Sequence, residues 1–326
     1  MDFLTRPKLR PRVGLALGGG AARGMAHIGV IRALLRANID IDIVTGTSMG
    51  SIIGGAWAAG VEVDDLEQRV RDLLTSEAFK KNRLSFLQET RKQRGGLLFS
   101  VANLVRRGVF FGVSNMRPSF LSAEEFATSM ETILPDVTIE DCRVPFGAIA
   151  LDIDKAREIV LTKGSIRRAA AASSAIPGVL PPVKINDRIL IDGGWVDKIP
   201  VLPAFGLGAD FVIAVDITAH VQESESYERG VDIMVRANSI KDAALVRFCR
   251  SMADVVIRPA VGDVHWADFG AHGRCIEAGE REAEAMLPQI KEALRHERIL
   301  SLVRPRVGRR LADLYLRADD RAFTVE

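Results

Sequence analysis

The pentapeptide Gly46-Thr47-Ser48-Met49-Gly50 sets one hydroxyl among small residues in the pattern G-x-S-x-G. A serine attacks an acyl carbonyl efficiently only when it is held out on a turn and relieved of its proton. The turn that holds it out runs sharply from a strand into a helix, and the two glycines leave room for it. Both flanks fit that context. Ile41-Asp42-Ile43-Val44-Thr45 alternates around β-branched residues, and residues 51–60 are small, apolar and free of proline. Ser48 is therefore the candidate nucleophile, at a helix N-terminus where backbone N–H groups favour developing negative charge.

A second turn of related design comes earlier. Val13-Gly14-Leu15-Ala16-Leu17 reads as a buried strand, followed by Gly18-Gly19-Gly20-Ala21-Ala22-Arg23-Gly24. A helix is expected over 25–37, with Ile28, Ile31, Leu34 and Leu35 on one stripe. A glycine-rich turn of this kind gathers amides around one point and suits an anion, either a phosphate or the oxyanion of an acyl-transfer intermediate. The spacing is not G-x-G-x-x-G and no Lys-Ser/Thr follows, so neither nucleotide motif is met. The serine turn nearby favours the oxyanion, with a plain tight turn as the alternative.

The proton acceptor has two sources. Among the five histidines, His27 falls on the predicted first helix, where a packing or satisfied polar role is expected. His265 and His272 come late, as the histidine of a hydrolase triad would. Asp192 opens Asp192-Gly193-Gly194 at the end of a predicted strand over 188–191. Two glycines beside a carboxylate let another backbone approach it closely, although Asp-Gly-Gly can equally be only a turn.

The remaining elements alternate. Helices are expected over 61–75, from a capping box at Ser122 to Leu134, over 166–174 up to Pro177, and over 227–252 and 278–296. Strands are expected over 146–152, 158–162, 211–216 and 254–257. This is an α/β pattern. It reads as one domain over 13–300, between a basic extension at 1–12 and a tail at 301–326 with an amphipathic segment at 311–316. Residues 80–111 hold eight cationic side chains, including Arg91, Lys92, Arg106 and Arg107, against the single acid Glu89. With Leu97, Leu98, Val101, Leu104 and Val105 at helical spacing, this segment can lie on an anionic membrane, cover a site, or pack on the core.

Bulk composition excludes some classes. Net charge is +2, from 44 basic and 42 acidic residues, which argues against a dedicated nucleic-acid binder. Cys142, Cys249 and Cys275 form no C-x-x-C and fit a reduced compartment. The first residues lack the apolar core of a secretory signal, so a cytoplasmic protein, peripheral at the inner membrane face, is expected. Residues 43–61 carry no charge and could just span a bilayer, but their hydroxyls, glycines and serine turn read as buried strand, turn and helix.

Taken together, Leu15 to Val30 (LALGGGAARGMAHIGV), Gly46 to Ser51, Ala172-Ser173-Ser174-Ala175-Ile176-Pro177 and Asp192-Gly193-Gly194 resemble the patatin-like phospholipases, in particular their bacterial branch. Asp263 to Phe269 (DVHWADF) is similar too. The resemblance implies a three-layer α/β/α fold around a central, mostly parallel sheet. It implies a Ser–Asp dyad with Ser48 as nucleophile and Asp192 as general base. The oxyanion hole would be drawn from Gly18, Gly19, Gly20, Ala21 and Met49, supported by Arg23, Gly24, Gly46, Gly50, Gly193 and Gly194. No metal or other cofactor is implied. The expected substrate is an acyl lipid, cleaved in the manner of a phospholipase A or lysophospholipase through an acyl-enzyme. The alternatives are an acyltransferase of the same architecture and a non-catalytic membrane-associated regulator. Two departures from the family pattern are visible. Two alanines separate the glycines from Arg23, which puts Ala21 at the third glycine when the motif is aligned on the arginine. The segment Trp195-Val196-Asp197-Lys198-Ile199-Pro200 replaces the usual N-x-P continuation.

Overall fold

The computed structural model describes residues 10–76, 119, 122–219, 230–300 and 322–325. The basic segment at 80–111, His220 and the amphipathic tail segment at 311–316 lie outside them. Among the described residues nine strands form one sheet: β1 (Val13–Leu17), β2 (Ile43–Thr47), β3 (Phe146–Asp152), β4 (Arg157–Gly164), β5 (Val183–Ile185), β6 (Arg188–Asp192), β7 (Phe211–Val215), β8 (Val255–Ile257) and β9 (Ala322–Val325). The helices are α1 (Ala26–Arg36), α2 (Met49–Ala58), α3 (Val63–Thr75), α4 (Ala123–Ile133), α5 (Ile166–Ser173), α6 (Val201–Gly206), α7 (Gly230–Ser251) and α8 (His272–Leu300). The capping box expected at Ser122 opens α4, with Ser122 Oγ accepting from the Glu125 N–H. Sequence reading missed β5, α6 and β9, each too short for a periodic signal, and β9 brings part of the expected tail into the sheet beside β4.

Strands β3-β2-β1-β7-β8 run parallel, and β4, β5 and β6 add an antiparallel edge. Alternation along the central strands sends side chains into two separate cores. Leu15, Leu17, Val44, Ile213 and Val215 pack with α1, α2, α3, α4, α5 and α8 on one face. Ala16, Ile43, Val212 and Ala214 pack with α6 and α7 on the other. The fold is thus a three-layer α/β/α sandwich with a mostly parallel sheet. Among the described residues no helix is long and apolar enough to cross a membrane, and residues 43–61 form the buried β2–turn–α2 unit. The three cysteines are unpaired.

Helix α8 lies directly against α1 because each contributes a glycine at the crossing. A Cβ on Gly29 would sit 2.0 Å from the Ile276 carbonyl oxygen, and one on Gly279 would sit 2.0 Å from the Ala26 oxygen. Gly279→Ala is therefore expected to destabilise the protein by about 1–3 kcal/mol, seen as a lower midpoint in urea unfolding. Helix propensity alone would give the opposite sign, since alanine is the better helix former by about 1 kcal/mol. A raised midpoint would show that the two backbones are not in contact.

The sheet register sets up the site. Strand β2 runs along one edge of β3 and ends where Thr47 pairs with Ile149. Strand β6 occupies the same edge from the opposite direction, with Asp192 paired to Ala150. The C-terminal ends of β2 and β6 therefore meet head to head on adjacent residues of β3. On the other side, β1 lies between β2 and β7, and the chain leaves β1 and β7 for opposite faces of the sheet. Crevices at such switch points, beyond the carboxyl ends of the strands, are where open α/β sheets hold ligands.

Candidate active site

Ser48 sits between β2 and α2 at φ +54° and ψ −123°, a left-handed conformation that a side chain rarely adopts. Conformations of this kind cost on the order of 1–3 kcal/mol and persist only where the surroundings enforce them. Here the flanking glycines do so. A Cβ on Gly46 would lie 2.4 Å from the Gly50 oxygen, and one on Gly50 would lie 2.2 Å from the Leu17 oxygen. The turn is closed so tightly that no larger residue fits at either position. It lifts Ser48 Oγ toward the end of β6, where it donates a 2.6 Å hydrogen bond to Asp192 Oδ2.

Asp192 is held on its other side by the Gly194 N–H, which donates to Oδ1 at 2.7 Å. Gly193 lets this strand end approach β3, since a Cβ there would be 2.3 Å from the Ile149 oxygen. Both Ser48 and Asp192 are buried, at 6% and 5% exposure. Burial pushes the Asp192 carboxyl up to about 6. The Ser48 hydroxyl, the Gly194 amide and the positive charge of Lys198 oppose that rise.

The block at 172–177 acquires a role that no local signal had assigned. Ser173 Oγ accepts the Ser48 N–H at 3.0 Å, and the Ala175 carbonyl accepts the Asp192 N–H at 3.0 Å. The C-terminal end of α5 and the residues just after it thus fix the backbone of both partners. The departures at 195–200 are also accommodated. Thr45 and Thr47, buried on β2, donate their hydroxyls to the carbonyls of Pro200 and Asp197 at 2.8 and 2.9 Å. The Asp197 carboxylate accepts the Ile199 N–H at 3.0 Å and closes the turn.

The glycine-rich turn divides its amides. Gly18 N–H donates to Val215 O at 3.1 Å and Gly19 N–H to Lys198 O at 2.9 Å. Those two donors, expected in an oxyanion hole, are committed to the neighbouring strand and loop, and that part of the expectation is corrected. The Gly20, Ala21 and Met49 N–H groups have no acceptor among the described residues. Gly19, Gly20, Ala21 and Ser48 line one cavity. Ala21 has φ +48°, which glycine adopts freely, in keeping with its alignment to a glycine position. Gly24 passes under Met49, where a Cβ would come within 2.3 Å of Cγ, and Arg23 Nε reaches the Gly20 oxygen at 3.4 Å.

None of the late histidines joins this group. His265 Nδ1 accepts the Ala267 N–H at 3.3 Å and its ring lies tilted by 39° against Trp266, while His272 Nδ1 lies 3.1 Å from Phe269 O. His27 is wholly buried, with Nε2 2.8 Å from the Gly18 carbonyl. Burial lowers its pKa to about 4, so the ring is neutral at physiological pH and Nε2–H donates to the turn. It props the glycine loop, as its place on the first helix suggested.

These features define a class: an α/β/α protein with a strained serine on a strand–helix elbow, bonded to a buried aspartate beside unengaged amides. The chain belongs to the patatin-like phospholipase family, whose model matches residues 15–205. An uncharacterised NTE family protein of Mycobacterium tuberculosis (strain ATCC 25618 / H37Rv) is 34% identical over 213 residues, covering 65% of this chain and 51% of the relative. The lysophospholipase NTE1 of Phaeosphaeria nodorum is 33% identical over 329 residues, covering 89% of this chain and 19% of the relative. The chain thus spans about half the length of the mycobacterial protein and a fifth of the fungal one. Human GIVD cytosolic phospholipase A2, solved with a fluorophosphonate inhibitor, superposes with a TM-score of 0.48 at 13% identity, covering 90% of this chain and 61% of that one.

Proposed function

We propose that this protein is a serine acyl hydrolase that cleaves fatty acyl esters of phospholipids or lysophospholipids. The observation that carries the reading is the 2.6 Å bond between Ser48 Oγ and Asp192 Oδ2 at the strained elbow. Asp192 takes the proton as Ser48 Oγ bonds to the acyl carbon, and the N–H groups of Gly20, Ala21 and Met49 receive the oxyanion. Collapse of that intermediate expels the alcohol, which leaves with the proton from Asp192. Water then repeats the sequence on the acyl-enzyme and releases the fatty acid. A base is most effective when its pKa lies near the working pH, and the desolvation of Asp192 moves it in that direction. The unit responsible is assigned to residues 13–300, with 1–12 and 301–326 as flanks, the second of which returns β9 to the sheet beside β4. Peripheral contact with an anionic membrane at its cytoplasmic face through residues 80–111 is part of the same reading and rests on their sequence.

An alkyl fluorophosphonate tests this reading. One phosphonyl group is expected on Ser48 by peptide mass spectrometry, with a labelling rate that rises through about pH 6 as Asp192 ionises. Labelling at another serine, or a rate that is flat from pH 5 to 8, would count against the dyad.

A further inference from the structure

The cavity over Ser48 has a volume of about 880 Å³ and a lining that mixes apolar and cationic side chains. Near Asp192 it is apolar, with Ile176, Pro177, Val179 and Trp195. Six cationic side chains also line it, against two acidic ones, Asp192 and Asp242. Most of the cationic lining is supplied by α7 and by Arg258 after β8, beyond the residues 15–205 that the family model matches.

These cations are positioned by a built arrangement. The Asp216 carboxylate, buried at the end of β7, accepts Arg250 Nη1 at 3.0 Å and lies 3.3 Å from Arg258 Nε. Its other oxygen accepts the Thr218 N–H and hydroxyl at 2.9 and 2.6 Å. Two guanidiniums thus share one carboxylate and leave a net positive charge on the cavity wall. Lys198 is paired with Asp242 at 2.7 Å and adds little net charge. Arg247 is exposed at the cavity, with no carboxylate in ion-pair distance among the described residues.

We propose that Arg247, Arg250 and Arg258 form a subsite for the phosphate of a net-anionic lipid headgroup, while the acyl chain follows the Ile176–Trp195 lining. This rests on the acyl-hydrolase reading and adds the substrate class. Guanidiniums present forked N–H donors that match phosphate oxygens, and the shared Asp216 keeps two of them oriented before substrate arrives. Excess positive charge also disfavours a choline headgroup, whose ammonium would enter a like-charged wall. Discrimination therefore comes from attraction to the phosphate and repulsion of a headgroup cation.

The test uses the full chain and three soluble single-chain esters of equal acyl length, below their micelle concentrations. They are a lysophosphatidylglycerol, a lysophosphatidylcholine and a monoacylglycerol. Hydrolysis of the first is expected with a kcat/KM about tenfold or more above the other two, a preference that shrinks when NaCl is raised from 50 to 500 mM. In Arg247→Glu, chosen because the residue is exposed, the preference should fall at least about tenfold. Inorganic phosphate is expected to inhibit competitively in the wild type and less in the variant. Equal rates for the three esters in the wild type would overturn the headgroup subsite while leaving the hydrolase reading intact. So would a preference unmoved by both salt and Arg247→Glu. Phosphate inhibition without any headgroup preference would mean a site for free phosphate and would also overturn it. Failure to cleave any of the three would remove the hydrolase reading itself.

Discussion

Replacing Ser48 by alanine is expected to abolish ester hydrolysis, with a loss in kcat on the order of 10⁴-fold or more, while the protein stays folded. The size of the effect follows from where the hydroxyl acts. Its oxygen forms the bond to the acyl carbon, so no other contact in the cavity substitutes for it, and water would have to attack without covalent help. Substrate contacts on the cavity walls are untouched, so KM for a lysophospholipid should move little while kcat collapses. Stability should fall by no more than about 1–3 kcal/mol, which leaves the protein folded. Alanine must adopt the same φ of +54°, so the strain at the elbow is retained. The hydrogen bond to Asp192 is lost, and a buried carboxylate oxygen deprived of a donor costs about 1–3 kcal/mol. The measurement is fatty acid release together with a urea unfolding curve on the same preparation. Activity above about 1% of wild type in a folded variant would mean that another group carries the acyl transfer.

Parts of this site could be read from local sequence, and the reasons differ by residue. The elbow was legible because its constraints are local: Gly46 and Gly50 are needed by the turn itself, where added Cβ atoms meet backbone within 2.4 and 2.2 Å. The strand was less well bounded. Residues Gly46 and Thr47, read as turn, are still paired with Leu17 and Ile149 in the sheet. The partnership of Ser48 with Asp192 was not legible locally. It depends on β2 and β6 abutting along β3, and no spacing rule reports a register between segments 144 positions apart. Family resemblance suggested it, and the residues alone left His265 and His272 in contention. The orientation of the glycine turn was equally opaque, because the acceptors that occupy the Gly18 and Gly19 amides, Val215 and Lys198, arrive from distant parts of the chain. Ser173 carried no local signal, because its bond to the Ser48 amide is set by packing of α5 on the sheet.

Asp192→Asn should have two effects of opposite value: loss of activity and gain of stability. Asparagine keeps the shape and most of the bonding. Its carbonyl can accept the Gly194 N–H that Oδ1 accepts now, and its amide can face Ser48 Oγ. It cannot accept the serine proton, so hydrolysis should fall by on the order of 10³-fold or more, and fluorophosphonate labelling of the intact Ser48 should fall with it. The stability change follows from linkage. The folded carboxyl has a pKa of about 6, above the ordinary 3.8, so between these values the folded chain binds more protons than the unfolded one. Its ionisation therefore weakens folding as pH rises through about 6, and the effect is absent below about pH 4. The displacement corresponds to roughly 3 kcal/mol at neutral pH, an upper bound on what the neutral asparagine recovers. The variant should unfold at higher urea than wild type at pH 7.5, with the gap closing as pH approaches 4. An inactive variant with no such gap would show that Asp192 is not desolvated in solution. A retained gap with retained activity would show instead that the buried carboxylate is not the base, and that the strain at Ser48 serves a different proton acceptor.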